Sequence, residues 1–239
     1  MEWGTAGAPV VAAGCEFAVV VDVLSFTTTL SVAGDLGIEV VPCPWRDDRA
    51  ETLARQHNAT LAVGRSLAGP GQVSLSPATL SAAGPMQRLV LPSPNGSTIS
   101  AQLADLGAQV VAAGLRNRRA VASWLDQESR AAGRQPRVAI IASGERWPDG
   151  SLRPAVEDLW GAGAVIRALV ELGWGGLSPE ADTAAAAFDA IAGDVARSLR
   201  RCASGRELTE IGFGKDIDVA AELDHSSSVP VLTNGIYSG

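Results

Sequence analysis

The stretch VVVDVLSFTTTL, residues 19–30, decides the reading of this chain. Residues 17–21 form an apolar, valine-rich run without alternation, which predicts a strand buried on both faces of a sheet. The run ends on Asp22, and Thr27, Thr28 and Thr29 then open a helix predicted over residues 27–33. Threonine is unfavourable inside a helix because of its β-branch. In a first turn, its hydroxyl and the free backbone N–H groups can hold an anion. A lone aspartate after a strand is ordinarily a turn or cap residue. Beside an anion cradle it would repel a phosphate, unless a magnesium ion lay between the two.

Working outward, short apolar runs alternate with amphipathic ones. Further strands are expected over residues 38–41, 61–63, 88–91, 109–112, 138–141 and 229–233. Helices are expected over 48–57, 97–106, 118–132 and 155–172, with two or three more between 179 and 223. This pattern predicts an α/β fold: a mostly parallel sheet flanked by helices, with a helix-rich C-terminal part. Residues 1–239 read as one domain. The Gly-, Pro- and Ser-rich segment 66–85 reads as loop or turns, marking either a sub-domain boundary or a surface that closes over a site. The tail beyond Ser226 reads as weakly structured, with residues 237–239 frayed.

Composition narrows the function. A formal charge of −7 without a long basic run argues against nucleic acid as a partner. The short cluster Arg116, Arg118 and Arg119 reads as a solvated helix end. Cys15, Cys43 and Cys202 have no metal-type spacing and read as reduced packing residues of a cytoplasmic protein. No signal peptide is expected, and no apolar run approaches the ~18 residues of a membrane span. A homodimer is the default assembly.

In an open parallel sheet, ligands gather at the carboxyl ends of the strands. Asp22, Asn95 and Ser143-Gly144-Glu145 all follow predicted strands, so they are candidates for one crevice. Pro94-Asn95-Gly96 is a turn signal, and Ser97 can cap the next helix. Beside Asp22, the Asn95, Gly96 and Ser97 groups would make a second anion cradle.

Farther along, Pro154 fits a first helical position, which puts Glu157 outside the capping-box position. Gly161 and Gly163 then lie inside that helix at roughly 1 kcal/mol each relative to alanine, which suggests close backbone approach. At least one of Glu157 and Asp158 is expected to face a metal or water. In GFGKDID, residues 212–218, Asp216 is either a helix cap or a site carboxylate, and Lys215 is the sole lysine. No GxSxG, Walker A or GxGxxG sequence is present. His57 and His225, the only histidines, support neither a triad nor zinc, so an oxygen-ligated hard cation fits better.

Taken together, VDVLSFTTTL, SPNGST (residues 93–98), SGERWPDGSLRPAVEDLWGAG (143–163) and the 198–224 segment resemble the 2-phosphosulfolactate phosphatase family. The resemblance covers most of the chain in matching order. It implies an α/β fold and a magnesium-dependent phosphatase that removes phosphate from 2-phospho-3-sulfolactate. Two segments depart from the family pattern. Ser25 stands where the family usually has arginine, and residues 63–80 lack its Gly-Glu-Arg and Gly-Asn-Ser-Pro groups. Arg65, Arg146 or Arg153 would then have to compensate.

In the resulting scheme, Asp22, Glu157 and Asp158 are catalytic and hold Mg²⁺, with Asp216 as a further ligand. Thr27, Thr28, Asn95, Gly96, Ser97, Glu145 and Arg153 bind the small anionic phosphoester. The attacking group is either water or Asp22 itself. A re-purposed or catalytically silent anion-binding homologue is the alternative.

Overall fold

A computed structural model describes residues 1–45, 47–69 and 71–239, except for the side chain of Ser66. The chain runs β1 (Glu2–Trp3), α1 (Gly4–Ala12), β2 (Phe17–Val21), α2 (Phe26–Asp35), β3 (Glu39–Cys43), α3 (Asp48–Gln56) and β4 (Thr60–Leu61). It continues through α4 (Pro77–Ser81), β5 (Arg88–Pro92), α5 (Gly96–Asp105), β6 (Gln109–Ala113), α6 (Arg118–Ala132) and β7 (Val138–Ala142). A small hairpin of β8 (Glu145–Arg146) and β9 (Leu152–Arg153) precedes α7 (Val156–Glu171). Then come α8 (Pro179–Asp189), α9 (Val195–Arg201), α10 (Ala203–Glu210), α11 (Gly214–Ala220), β10 (Val231–Thr233) and β11 (Ile236–Ser238).

Among the described residues, the main sheet has the order β1-β7-β2-β6-β10-β11-β3-β5-β4. Strands β1, β7, β2 and β6 are mutually parallel, as are β3, β5 and β4; the antiparallel β10–β11 hairpin joins the two groups. The predicted α/β class with a mostly parallel sheet is therefore observed. Every residue of β2 is buried, as its unbroken valine run requires. Val19 and Val21 join Val111, Leu125 and Val165 on one face. Ala18 and Val20 join Leu30, Leu89 and Ile99 on the other. Helices α2 and α5 therefore lie in a core shared by both parallel groups. Sheet twist of roughly 20–25° per neighbouring pair accumulates across the linking strands. The carboxyl ends of β2 and β5 meet around the starts of these two helices, where the Gly96 N–H donates to Asp22 Oδ2 at 3.1 Å.

Several elements differ from the expectations. β1 and α1 were not anticipated, because Ala- and Gly-rich residues 4–12 carry little amphipathic pattern. Segment 66–85 contains α4, which packs on α2 and α11. Its Leu80 and Val73 are core residues. The region 179–223 holds four helices among its described residues.

The tail is ordered rather than frayed. Tyr237 is buried edge-to-face against Phe26, and its hydroxyl hydrogen-bonds Ser100 at 2.7 Å. Arg116 and Arg118 are buried rather than solvated. They pair with Asp35, Glu222 and Asp224, and Arg118 lies over Phe188. The close approach read from Gly163 is real: a Cβ there would lie 1.9 Å from the Ala184 carbonyl oxygen of α8.

Candidate active site

The site forms where β2, β5 and β7 end. Asp22 leaves β2, and both of its oxygens are taken by helix N-termini. Oδ1 accepts from the Phe26 N–H of α2, and Oδ2 from the Gly96 N–H of α5, each at 3.1 Å. The anion held by the two predicted cradles is thus the aspartate itself, an arrangement favoured by both helix dipoles. Gly96 is obligatory at this contact, since a Cβ there would sit 2.2 Å from Phe26 Cδ1 and 2.9 Å from Asp22 Oδ2.

The threonines behave differently from the expectation. Thr27 Oγ1 donates to the Asp22 carbonyl at 2.9 Å, and Thr28 Oγ1 to the Val23 carbonyl at 2.7 Å. Both are buried, with their hydroxyls turned onto the main chain. They close the loop that aims Asp22. Ser97 is likewise buried and donates to the Leu91 carbonyl at 3.3 Å.

Asp158 is a tie between strand ends. Its Oδ1 accepts from the Val23 N–H at 2.7 Å and its Oδ2 from the Gly144 N–H at 2.8 Å. The helix α7 begins at Val156 with Ala155 as its cap, two residues later than Pro154 suggested. Glu157 and Asp158 therefore occupy the first turn, and Asp158 bridges the β2 and β7 loops. Gly161 allows α7 to press on β2, since a Cβ there would be 2.6 Å from Val23 Cγ2 and 2.7 Å from Val21 Cγ1.

The carboxylates repel one another in a buried setting. Burial raises Asp22 to about 6, aided by the charge of Glu157 and opposed by its two N–H donors and Arg65. Burial also raises Glu145 to about 7, with Asp22 and Glu157 adding to the shift and the Asn95 amide opposing it. Asp158 is pushed well up by burial and then by the charges of Asp22 and Glu157. Glu157, itself buried, faces Cys202, whose thiol is raised to about 12 by burial and then by that carboxylate. Four acids therefore share one electrostatic neighbourhood.

Polar and cationic groups frame them. Asn95 donates to Glu145 Oε2 at 3.0 Å and accepts from Arg146 Nε at 3.2 Å. Arg153 forms a bidentate pair with Glu207 at 2.7 and 2.9 Å, and its charge also reaches Glu145 and Glu157. Arg65 donates to the Ser25 hydroxyl at 2.6 Å and pairs with Asp216 at 3.4 Å. Asp216 is fully buried and also accepts from the Ser76 hydroxyl. Asp216 thus stands behind Arg65, and Lys215 is exposed.

The structure brings Asp22, Glu145, Glu157, Asp158, Asn95 and Gly96 together, and it couples Asp216 to them through Arg65. Among the described residues, no three His, Cys, Asp or Glu side chains are gathered tightly enough to form a metal centre unaided. The Arg65–Ser25 contact joins residues far apart in sequence, so only the fold brings it into view. No described helix is long and apolar enough to cross a membrane.

Known proteins are similar to this chain over most of its length. The family model described as 2-phosphosulpholactate phosphatase matches residues 11–235. A Parasynechococcus marenigrum (strain WH8102) protein is 33% identical over 230 residues, covering 90% of this chain and 88% of its own. A Synechococcus sp. (strain WH7803) protein is 30% identical over 234 residues, covering 92% and 88%. A Deinococcus radiodurans protein is 30% identical over 149 residues, covering 62% and 58%. All three bear the name "Probable 2-phosphosulfolactate phosphatase".

Proposed function

The chain belongs to the 2-phosphosulpholactate phosphatase family, and on that premise we propose that it hydrolyses the phosphate ester of 2-phosphosulfolactate with the help of Mg²⁺. The observation that carries this reading is the buried acidic cluster of Asp22, Glu145 and Glu157 at the carboxyl ends of β2 and β7 and the start of α7. Mutually repelling carboxylates in a buried site are stable partners for a hard cation and poor ones for each other.

The donor set fits magnesium. Mg²⁺ is typically held by one or two carboxylates, with water and substrate phosphate completing its coordination. Asp22 and Glu157 are the pair we assign to it. Asp158, which accepts from the Val23 and Gly144 N–H groups, positions the loops that present them. When bound, the ion supplies charge neutralisation for the phosphoryl group.

The chain's own residues account for the remaining chemistry. Arg65, held by Asp216 and Ser25 beside Asp22, attracts the phosphoryl oxygens. The Phe26 and Gly96 N–H groups fix the orientation of Asp22. Glu145, raised to about 7, keeps a proton near neutral pH. It can give that proton to the ester oxygen as the P–O bond breaks and the phosphoryl group passes to water, directly or by way of Asp22, so that the products are an alcohol and inorganic phosphate.

The test is phosphate release from 2-phospho-3-sulfolactate with Mg²⁺ and with EDTA, in the wild type and in Asp22→Asn. Release that needs Mg²⁺ and falls at least ~10³-fold in Asp22→Asn is the expected result. A well-folded wild type that releases no phosphate from this or other small phosphoesters would sink the reading and favour a silent anion-binder.

A further inference from the structure

Beside the acidic cluster lies a pocket of about 240 Å³. One wall is the start of α1, residues Gly4, Thr5 and Ala6; Asn95, Ser143, Glu145, Arg146 and Ser151 contribute the polar part of the remainder. Three observations bear on what it holds. The nine-residue helix α1 begins at Gly4 with no side-chain cap from Trp3, and its first residues line this space, so its first-turn N–H groups and positive dipole end lie at the pocket. Ser143 is 3% exposed, and its Oγ is a buried hydroxyl with no hydrogen-bond partner among the described residues. A buried hydroxyl left unpaired is costly unless a ligand completes it. Arg146 adds a guanidinium that is tethered to Asn95 through Nε.

We propose that this pocket is the subsite for one of the two non-reacting anions of the substrate, its sulfonate rather than its carboxylate. The proposal rests on the phosphatase reading for the identity of that group. A sulfonate presents three acceptor oxygens and no donor, which matches a lining of an unpaired hydroxyl, helix-end N–H groups and a guanidinium. Two carboxylates stand nearby, and each has a partner: Glu2 accepts from the Trp3 N–H, and Glu145 from the Asn95 amide. Pocket and acidic cluster share Asn95 and Glu145, so one small molecule can span both. The α1 wall lies at residues 4–6, ahead of the 11–235 segment that the family model matches.

The experiment is calorimetric titration with 3-sulfolactate, and with lactate as the sulfonate-free control, on three full-length proteins. These are the wild type, Ser143→Ala and Ala6→Asp. Ser143→Ala removes a hydroxyl that has no partner among the described residues, so the fold should be undisturbed. Ala6→Asp adds an acid to an exposed first-turn position, which favours the helix while repelling an anion. The expected result is weaker 3-sulfolactate binding, by roughly tenfold in Ser143→Ala and by more in Ala6→Asp, at unchanged melting temperature.

Hydrolysis of p-nitrophenyl phosphate, which has no second anion, should be equal in all three proteins. Equal 3-sulfolactate affinities would overturn the subsite, as would wild-type binding of lactate as tight as that of 3-sulfolactate, or no wild-type binding at all. Phosphate release separates the two claims. Mg²⁺-dependent turnover with unaltered variants leaves the phosphatase reading standing and removes the subsite. Sulfonate binding that responds to both variants without any turnover does the reverse.

Discussion

Replacing Gly96 by alanine should damage both the stability and the chemistry of this protein, for one geometric reason. The new Cβ would lie 2.2 Å from Phe26 Cδ1, 2.7 Å from Phe26 Cγ and 2.9 Å from Asp22 Oδ2. Carbon atoms in contact stand about 3.5–4.0 Å apart, so the ring must retreat by more than an ångström. Phe26 is fully buried and packs edge-to-face on Tyr237 with ring centroids 6.1 Å apart, so it has no room to yield.

Overpacking of this kind costs about 1–3 kcal/mol. If α5 moves away instead, the Gly96 N–H to carboxylate bond is lost, at about 1.5–3 kcal/mol for a bond to a charged group. Alanine returns at most ~1 kcal/mol of helix propensity. The net expectation is a loss of about 0.5–2 kcal/mol, or roughly 1–8 °C in melting temperature at 2–4 °C per kcal/mol. Turnover should fall at least tenfold, because Asp22 loses one of its two orienting donors. The assay is urea denaturation alongside steady-state phosphate release. Gly84→Ala serves as control, since a Cβ there meets open space. A Gly96→Ala protein with wild-type stability and wild-type kcat/KM would refute the claim that this glycine is what lets α5 serve Asp22.

Three further expectations test separate parts of the structure. Gly163→Ala should destabilise by about 2–4 kcal/mol in chemical denaturation, because the Ala184 carbonyl of α8 leaves no space for a methyl group; an unchanged midpoint would mean that α7 and α8 are not in this contact. Glu145 binds its proton more tightly in the folded state, at about 7 against an ordinary 4.5. Its contribution to stability is therefore full below pH 4.5 and lost as pH rises through 7, by ~2 kcal/mol after allowance for its partial exposure. Glu145→Gln should flatten the wild-type fall in stability over that window, and identical pH slopes in the two proteins would count against it. Cys202, raised to about 12 by burial and then by Glu157, should resist iodoacetamide at pH 8 until urea is added, whereas half-buried Cys15 reacts first; prompt native-state alkylation of Cys202 would contradict the buried pairing.

What the sequence by itself determined was everything that depends on local order. The valine run 17–21 had to be a two-faced strand, and the α/β alternation followed from the spacing of such runs. Strand ends located Asp22, Asn95 and Glu145, and the glycines inside α7 announced a close helix contact. The family followed from the order of its motifs. Tertiary structure alone decided how these groups are used. Helix N-termini looked like cradles for a ligand, and the fold turned both on Asp22, because only folding brings Gly96 against residue 22. Asp158 became a tie and Asp216 a support for Arg65, since their partners lie 135 residues away at Val23 and 140 at Ser76. The tail was legible as a short strand over 229–233 and a frayed end, yet Tyr237 is locked into the core by Phe26 and Ser100. A local sequence window carries propensity and periodicity; it carries no information about which distant donor will satisfy a buried carboxylate.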